Sequence, residues 1–490
     1  MQWPLLPKFL DIYYHLGVMK GFADAGGYVT RAFWEYAPSG RPHLYPPLLH
    51  VLMLALYKAG VPAITIGRFV DCFSYPLFLF LFYRLTAKYC SERAAFFSLL
   101  LLASVFSVAL SSVTLSAFNL SAILGLWMFC FLQERKSLGA GLCLALCFYT
   151  HTLMAGLMLL TLVFYALLRR EVARTAFRTA AGALLLAAPF LVYQFHFRDY
   201  FTFVKVHEFR LWEFDASILL LALCGMVYLT KKRSLKKAAL PLAFLAGFAP
   251  LILSHPPRYF SGHGLIGPAM LAGVFADEFF SQWTHKPFSR KWLACFVAFV
   301  LFILLAAPFF KWNVKEGKGE WVWADRTVTR YLLPDEKRSF RAQGFSIYFQ
   351  EDYAKIVQAV REHSGPEDIL WTDFSYTAGI LGILADRATS CAMLAEVKSY
   401  ESSNRLKDAR VIVWFKDKEA KPTSEMRDAV ERYHFSLLQE TDMAFVWLNP
   451  EGYGQRRVPK PTVPMPVLFG LGTVVAFGLA FSHCNKKAPL

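Results

Sequence analysis

Charge is scarce in this chain, and acidic charge most of all: 36 Asp and Glu stand against 52 Lys and Arg, and charged residues fill only 18% of 490 positions. Hydrophobic residues fill 56% and aromatic ones 16%, with a mean hydropathy of +0.37. Such a balance excludes a soluble globular protein of this length and makes the bilayer the solvent. Cysteine is also sparse. Of nine, only Cys391 falls outside or away from the apolar runs, which excludes a disulfide framework in the polar regions. No Cys and His spacing matches a zinc site, and Cys143 with Cys147, one helical turn apart, reads as apolar packing. The sequence has no G-x-G-x-x-G run, Walker loop or other phosphate cradle, so it carries no nucleotide site.

What the chain does have is a series of apolar runs, at 66–84, 94–112, 117–132, 138–150, 152–168, 179–195, 216–230, 238–253, 260–276, 292–309 and 463–482. Each is long enough, or nearly so, to cross about 30 Å of hydrocarbon. The net charge of +16 is gathered into clusters in every second gap, such as Arg135 and Lys136, Arg169 to Arg178, and Lys231 to Lys237. This is the positive-inside pattern: it excludes nucleic acid as a partner and makes those gaps cytoplasmic. The other gaps then share the outer face, and they hold residues 1–65, the turn at His151, the loops 196–215 and 254–263, and the region 311–460. This topology requires 45–60 to lie at the outer interface as a short helix with Pro46 and Pro47 in its first turn. It also places residue 11 outside with no apolar span before it. A further helix upstream of Met1 would account for that, and a short translocated tail is the alternative.

The fold class expected is a mainly α-helical polytopic membrane protein of about eleven transmembrane helices, or one more where a first helix precedes Met1, with a small extracytoplasmic α/β domain near the C-terminus. Its parts are an outer loop with interfacial helices over 1–65, a transmembrane core over 66–310, the α/β domain over 311–460 and an anchor over 461–490. Within the α/β domain the periodicity predicts helices at 352–364, 376–384 and 423–433, and strands at 369–372, 411–415, 435–438 and 444–448.

Chemistry-bearing residues fall on the outer face. They are Asp11, Tyr14 and His15 in the first loop, Tyr45 before Pro46 and Pro47, and Tyr149-Thr150-His151 at a turn. Lys205, His207 and Arg210 follow in one loop, then Pro257-Arg258-Tyr259-Phe260 and His263 ahead of a late span. Asp11-x-x-Tyr14-His15, Tyr45-Pro46-Pro47-Leu48, Arg68 opening the next run, His151 and Arg258 together resemble the GT-C superfamily. Its members are polytopic glycosyltransferases that use lipid-phosphate-linked sugars, among them oligosaccharyltransferase catalytic subunits, protein O-mannosyltransferases and lipid A aminoarabinose transferases. The resemblance spans the chain in architecture, its motifs are short, and it assigns no family within the superfamily.

The resemblance places Asp11 as the catalytic base, taking a proton from the acceptor as it attacks the anomeric carbon in an inverting transfer. A hydroxyl is a poor nucleophile, and a carboxylate within hydrogen-bond reach corrects that; a helix cap is the bland reading of Asp11. The leaving group would be a polyprenyl phosphate, which calls for a fixed cation, and Arg258 is the candidate, with snorkelling as its bland reading. Tyr14, His15, Tyr45, His151, Lys205, His207, Arg210 and His263 are the further candidates for donor or acceptor contact. Arg68 and Asp71 read as a structural pair three residues apart.

Oligosaccharyltransferases place a second acidic motif in the next outer loop to hold a divalent metal. Here that loop, from Ser111 to Ser116, has no carboxylate, so no metal site is assigned and a metal is not favoured, although Glu208, Glu213 or Asp215 could assist Asp11. The partners expected are a polyprenyl-phosphate sugar donor, a protein, lipid or glycan acceptor, and the bilayer. The localisation expected is a bacterial inner membrane, with the active site facing outward. A transporter or lipid-linked-sugar flippase and a glycan ligase or polymerase are the competing readings. Against the first stands the lack of an internal repeat of the span pattern, and against the second the presence of only Arg198 and Arg210 in loop 196–215.

Overall fold

The computed structural model describes residues 11–105, 108–109, 111–112, 115–202, 216–232, 235–260, 262–284, 309–315, 318–324, 350–373, 375–392, 397–401, 406–416, 424–452 and 454–484. In chain order, helices α1 (Asp11–Ala25) and α2 (Leu48–Lys58) enclose the two-residue strands β1 (Gly27–Tyr28), β2 (Arg31–Ala32) and β3 (Arg41–Pro42). Apolar helices follow: α3 (Ala63–Tyr89), α4 (Glu92–Ser104), α5 (Ser116–Gln133), α6 (Ser137–Phe148), α7 (Thr152–Leu168), α8 (Ala173–His196), α9 (Ala216–Lys231) and α10 (Leu235–Phe248). Then come α11 (Leu251–Ser254), α12 (Pro256–Phe260), α13 (Ile266–Thr284) and the hairpin β4 (Phe309–Lys315) with β5 (Lys318–Ala324). The C-terminal part runs α14 (Gln350–His363), β6 (Ile369–Thr372), α15 (Ser375–Ala385), β7 (Ala388–Thr389), β8 (Val411–Phe415), α16 (Ser424–Tyr433), β9 (Ser436–Glu440), β10 (Ala444–Leu448), β11 (Val463–Pro464) and α17 (Met465–Cys484).

Among the described residues, four stretches are long and apolar enough to cross a membrane: Ala63–Tyr89, Ser116–Gln133, Arg170–His196 and Lys236–Ser254. The other described apolar runs hold shorter helices, and 292–308 lies outside the described residues, so helix length does not carry the count of eleven. The long helices turn apolar side chains outward, including Phe69, Phe73, Leu77 and Phe80 on α3 and Leu185, Val192 and Phe195 on α8. Surfaces of this kind belong in hydrocarbon, and the chain is an integral membrane protein. One boundary differs from the sequence reading. The helix after Pro46 and Pro47 starts at Leu48 with Pro47 as its N-cap, so the prolines precede the helix instead of filling its first turn. Proline has no N–H to give, and at this position the helix asks for none.

The chain divides into two compact units. The first comprises Met1–Cys72, Pro189–Val204 and Asp335–Val475; the second comprises Phe73–Ala188, Lys205–Pro334 and Ala476–Leu490.

In the first unit a five-stranded sheet runs β7-β6-β8-β10-β9, parallel from β7 to β8 and antiparallel from β8 to β9. Its centre is β8, Val-Ile-Val-Trp-Phe, buried along its whole length, as a strand covered on both faces must be. Trp371 and Trp414 on neighbouring strands pack at a tilt of 50°, with ring centroids 5.1 Å apart. Helix α14 turns Tyr353, Ile356 and Val360 inward, the 3.6-residue period of an amphipathic helix. The first fifty residues are sewn into this unit. Gly27 and Tyr28 pair with Pro464 and Val463, Thr389 N donates to Trp34 O at 3.0 Å, and Arg456 reaches Asp24 at 2.9 Å.

In the second unit the helices approach closely at small residues. A Cβ on Gly273 would lie 1.9 Å from Ser98 Oγ, and one on Gly247 2.1 Å from Thr161 Oγ1. Helix pairs in lipid gain from this contact because hydrocarbon gives them no hydrophobic drive to associate.

Candidate functional site

Helix α1 puts Asp11 and His15 four residues apart, one above the other on the same face. Asp11 Oδ2 lies 3.2 Å from His15 Nε2; the Asp11 side chain is 17% exposed and His15 fully buried. The other His15 nitrogen, Nδ1, lies 2.9 Å from Nε2 of His50, which α2 presents fully buried. Tyr14 and Tyr45 close around the pair, with ring centroids 5.5 Å from each other and 5.4 and 5.2 Å from the His15 ring. The sequence-expected group Asp11, Tyr14, His15 and Tyr45 is therefore one cluster. Both ring nitrogens of His15 have partners, Asp11 on one side and His50 on the other.

Two further groups complete the surroundings. Arg41 and Glu35 form a buried ion pair at 2.5 Å, with the guanidinium 6.0 Å from the centre of the Tyr14 ring. His43 lies with its ring 5.8 Å from that of His50. Burial, followed by the charges of Arg41 and His15, pushes the pKa of His43 down to about 3, and burial likewise holds His50 well below the usual histidine range. Both imidazoles are neutral near pH 7.

Sequence reasoning paired Asp71 with Arg68, and here the structure corrects it. That ion pair is not among those of the described residues; Asp71 instead lies within electrostatic reach of Asp11, with one carboxyl oxygen buried and without a hydrogen-bond partner among the described residues. A 3-residue spacing allows a helical pair, but the rotamers are set by what packs on α3. His50 and Asp71 were both legible as lone polar residues in apolar helices, where an ionisable group is functional or partnered.

A second cluster forms in the second unit, around the Phe118 ring. Arg258 lies over it at 5.4 Å, His151 meets it edge-on at 5.0 Å and His263 at 4.9 Å. His151 is the N-cap of α7, accepting from Met154 N at 3.4 Å, while His263 Nε2 meets Asn119 Oδ1 at 3.1 Å. The Asn119 amide in turn donates to Ser74 O at 3.1 Å. Arg258 sits on the five-residue helix α12, and the chain doubles back after it: a Cβ on Gly264 would lie 2.2 Å from Tyr259 O, so only glycine allows the approach. His263 is fully buried and serves as the wall of this cluster. Phe118 and Asn119 were not singled out from sequence, since an aromatic in an apolar helix has no signature of its own.

Lys205, His207 and Arg210, with Glu208, Glu213 and Asp215, lie outside the described residues. Arg198, from the same loop, stacks on Phe195 at 4.5 Å. Among the described residues no group of three His, Cys, Asp or Glu side chains is placed to hold a metal ion.

Long apolar helices, an aspartate at the start of α1 and a sheet near the C-terminus form a fold that this chain shares with solved structures. The chain is similar to ArnT from Cupriavidus metallidurans bound to undecaprenyl phosphate, with a TM-score of 0.53 and 14% identity over 91% of this chain and 94% of that one. It is similar also to the Archaeoglobus fulgidus oligosaccharyltransferase in complex with Zn and sulfate, with a TM-score of 0.55 and 13% identity over 91% of this chain and 70% of that one. A third likeness is to AglB from the same archaeon with an inhibitory peptide and a dolichol-phosphate, with a TM-score of 0.53 and 11% identity over 84% of this chain and 66% of that one. No protein-family model and no curated protein matches the sequence. At these identities the likeness is one of fold.

Proposed function

We propose that this chain is a membrane glycosyltransferase that moves a sugar from a polyprenyl-phosphate donor to a hydroxyl acceptor on a protein, lipid or glycan, at the outer face of a bacterial inner membrane. The observation that carries the reading is Asp11: a carboxylate at the start of α1, partly exposed on one side and held from behind by a buried histidine at 3.2 Å. Neighbours that share the fold are described with undecaprenyl phosphate and dolichol-phosphate, which supports a lipid-phosphate donor.

In the proposed reaction the acceptor oxygen forms its bond to the anomeric carbon while the carbon–oxygen bond to phosphate breaks. The electron pair leaves with the phosphate, and the acceptor proton passes to Asp11. One displacement inverts the anomeric centre. Arg258 meets the developing phosphate charge, for which a planar guanidinium with two donors on one edge is suited. Tyr14, Tyr45 and His151 offer contacts to sugar, acceptor or phosphate, and Lys205, His207 and Arg210 are further cations for the donor.

Transfer of radiolabel from a panel of polyprenyl-phosphate sugars, in membranes carrying wild-type protein or Asp11→Asn, tests this reading. Label moved by wild type and not by the variant, at equal expression, supports it. Label that stays on the lipid in both, or moves equally in both, overturns it.

A further inference from the structure

Three buried histidines, His15, His43 and His50, lie in the cluster of the carboxylate proposed as base, and the chain of bonds from His50 through His15 to Asp11 has a direction. An ionised carboxylate only accepts, so His15 must donate from Nε2 to Asp11 Oδ2. A neutral His15 then has a lone pair on Nδ1, and the nitrogen 2.9 Å away, Nε2 of His50, must be the donor. That leaves His50 Nδ1 as a bare acceptor, and it is this atom that is buried without a hydrogen-bond partner among the described residues. The opposite polarity would put an N–H there, and an orphaned buried donor is the rarer and costlier case. The groups around the array are Asp11 and Tyr14 on α1, Tyr45, His43 and the Arg41–Glu35 pair from the segment before α2, and Asp71 on α3.

We propose that His50 is a positioning residue for Asp11: its Nε2–H donates to His15, whose Nε2–H donates to one Asp11 oxygen, so that the carboxylate is oriented with its other oxygen toward the acceptor. This rests on the reading of Asp11 as base. His50 touches no reacting atom, and no proton needs to travel along the array, because every N–H already points at the carboxylate. The architecture is a carboxylate–histidine pair with a second histidine fixing the tautomer of the first, the same logic by which an outer partner orients a metal-ligating imidazole.

The test uses the full-length chain in lipid bilayers, as wild type, His50→Leu and His50→Gln, since a glutamine amide can place an N–H near the Nε2 position. Nitrogen-15 solid-state NMR on histidine-labelled protein reads the tautomers without requiring turnover. The expected result is His15 protonated on Nε2 in wild type, with its Nδ1 resonance shifted in His50→Leu and restored in His50→Gln. His15 protonated on Nδ1, or unchanged by His50→Leu, overturns the proposal.

In the label-transfer assay, loss of the donor should lower kcat about 10- to 100-fold with KM within about twofold. His50→Gln should recover kcat within about threefold. A His50→Leu enzyme with unaltered kcat, or a loss that His50→Gln does not repair, overturns the positioning role. Failure of wild type to transfer any sugar would instead sink the functional reading, and the NMR arm would still decide the polarity of the array.

Discussion

The two clusters hold their charged groups in opposite ways. In the first unit Asp11 is tied by a directional hydrogen bond at 3.2 Å to one histidine, which is tied to another, all of it packed in neutral imidazole and tyrosine. In the second, Arg258 rests on the face of Phe118 at 5.4 Å, with two histidines at the same ring. A hydrogen bond fixes an oxygen to a few tenths of an ångström, which suits the proton-accepting role proposed for Asp11. An aromatic face holds a guanidinium by a broad electrostatic attraction, which suits the charge-meeting role proposed for Arg258. The difference in mode of support, more than the presence of either residue, separates the roles proposed for them.

Several substitutions would break or sharpen that contrast. The largest effect belongs to Asp11→Asn, which keeps size and loses basicity: transfer should fall about 10²- to 10⁴-fold while thermal stability stays unchanged. Retained transfer in a folded variant would end the distinction between the clusters.

Next comes the buried pair beneath Tyr14. Arg41→Met leaves the Glu35 charge buried alone and should cost about 3–5 kcal/mol of stability, much of it recovered by adding Glu35→Gln. Reactivity of the buried Cys391 thiol, which burial raises to about 12, reports that opening in detergent. An Arg41→Met protein as resistant to thiol labelling as wild type would show that the pair does not support the cluster.

In the second cluster Arg258→Lys keeps the charge but loses the planar stack and the two-pronged edge. Transfer should drop about tenfold, chiefly through KM for the lipid donor. A kcat effect alone would argue that Arg258 acts elsewhere than at the donor.

The smallest effect is the pH response of the first cluster. His43 is held at about 3 in the fold against an ordinary 6.5, so the unfolded chain takes up the proton first. Stability is fully present above pH 6.5 and is lost as pH falls from there toward 3. Between pH 7 and 5 the share of the loss due to His43 should be about 1–2 kcal/mol, and His43→Phe should remove that share while leaving the share due to His50. A melting temperature independent of pH over that range, with wild type and variant alike, would place His43 in water.

Much of this was legible in the sequence. The helices and strands of the C-terminal region fall within a residue or two of where periodicity put them, with β6, β8 and β10 at the expected positions. The two-residue strand β7 and the hairpin Phe309 to Ala324 were not expected. A strand of two residues has no period to detect. Asp11, Tyr14, His15 and Tyr45 were picked as a group because they share one loop, and His151, Arg258 and His263 because each falls in an outer-face turn or loop. Their division into two clusters was not visible: Phe118 and Asn119 carry no motif, and His50, legible as a polar residue in an apolar helix, gave no sign of which residue it would meet. Asp71 was visible as an oddity and was paired with its neighbour in sequence, where the structure sets it near Asp11.

By itself the sequence determined the solvent, the succession of apolar helices and the α/β pattern near the C-terminus. These follow from composition and from periods of two and 3.6 residues, which are local properties that any stretch of chain carries with it. Only the tertiary structure decided that His15 would meet His50, 35 positions away, that Thr389 would bond to Trp34, and that Arg258 and His263 would close on Phe118. Contacts of that kind depend on how long elements pack against one another. His15 and Arg258 took partners from other helices, and no local pattern encodes which helix that will be.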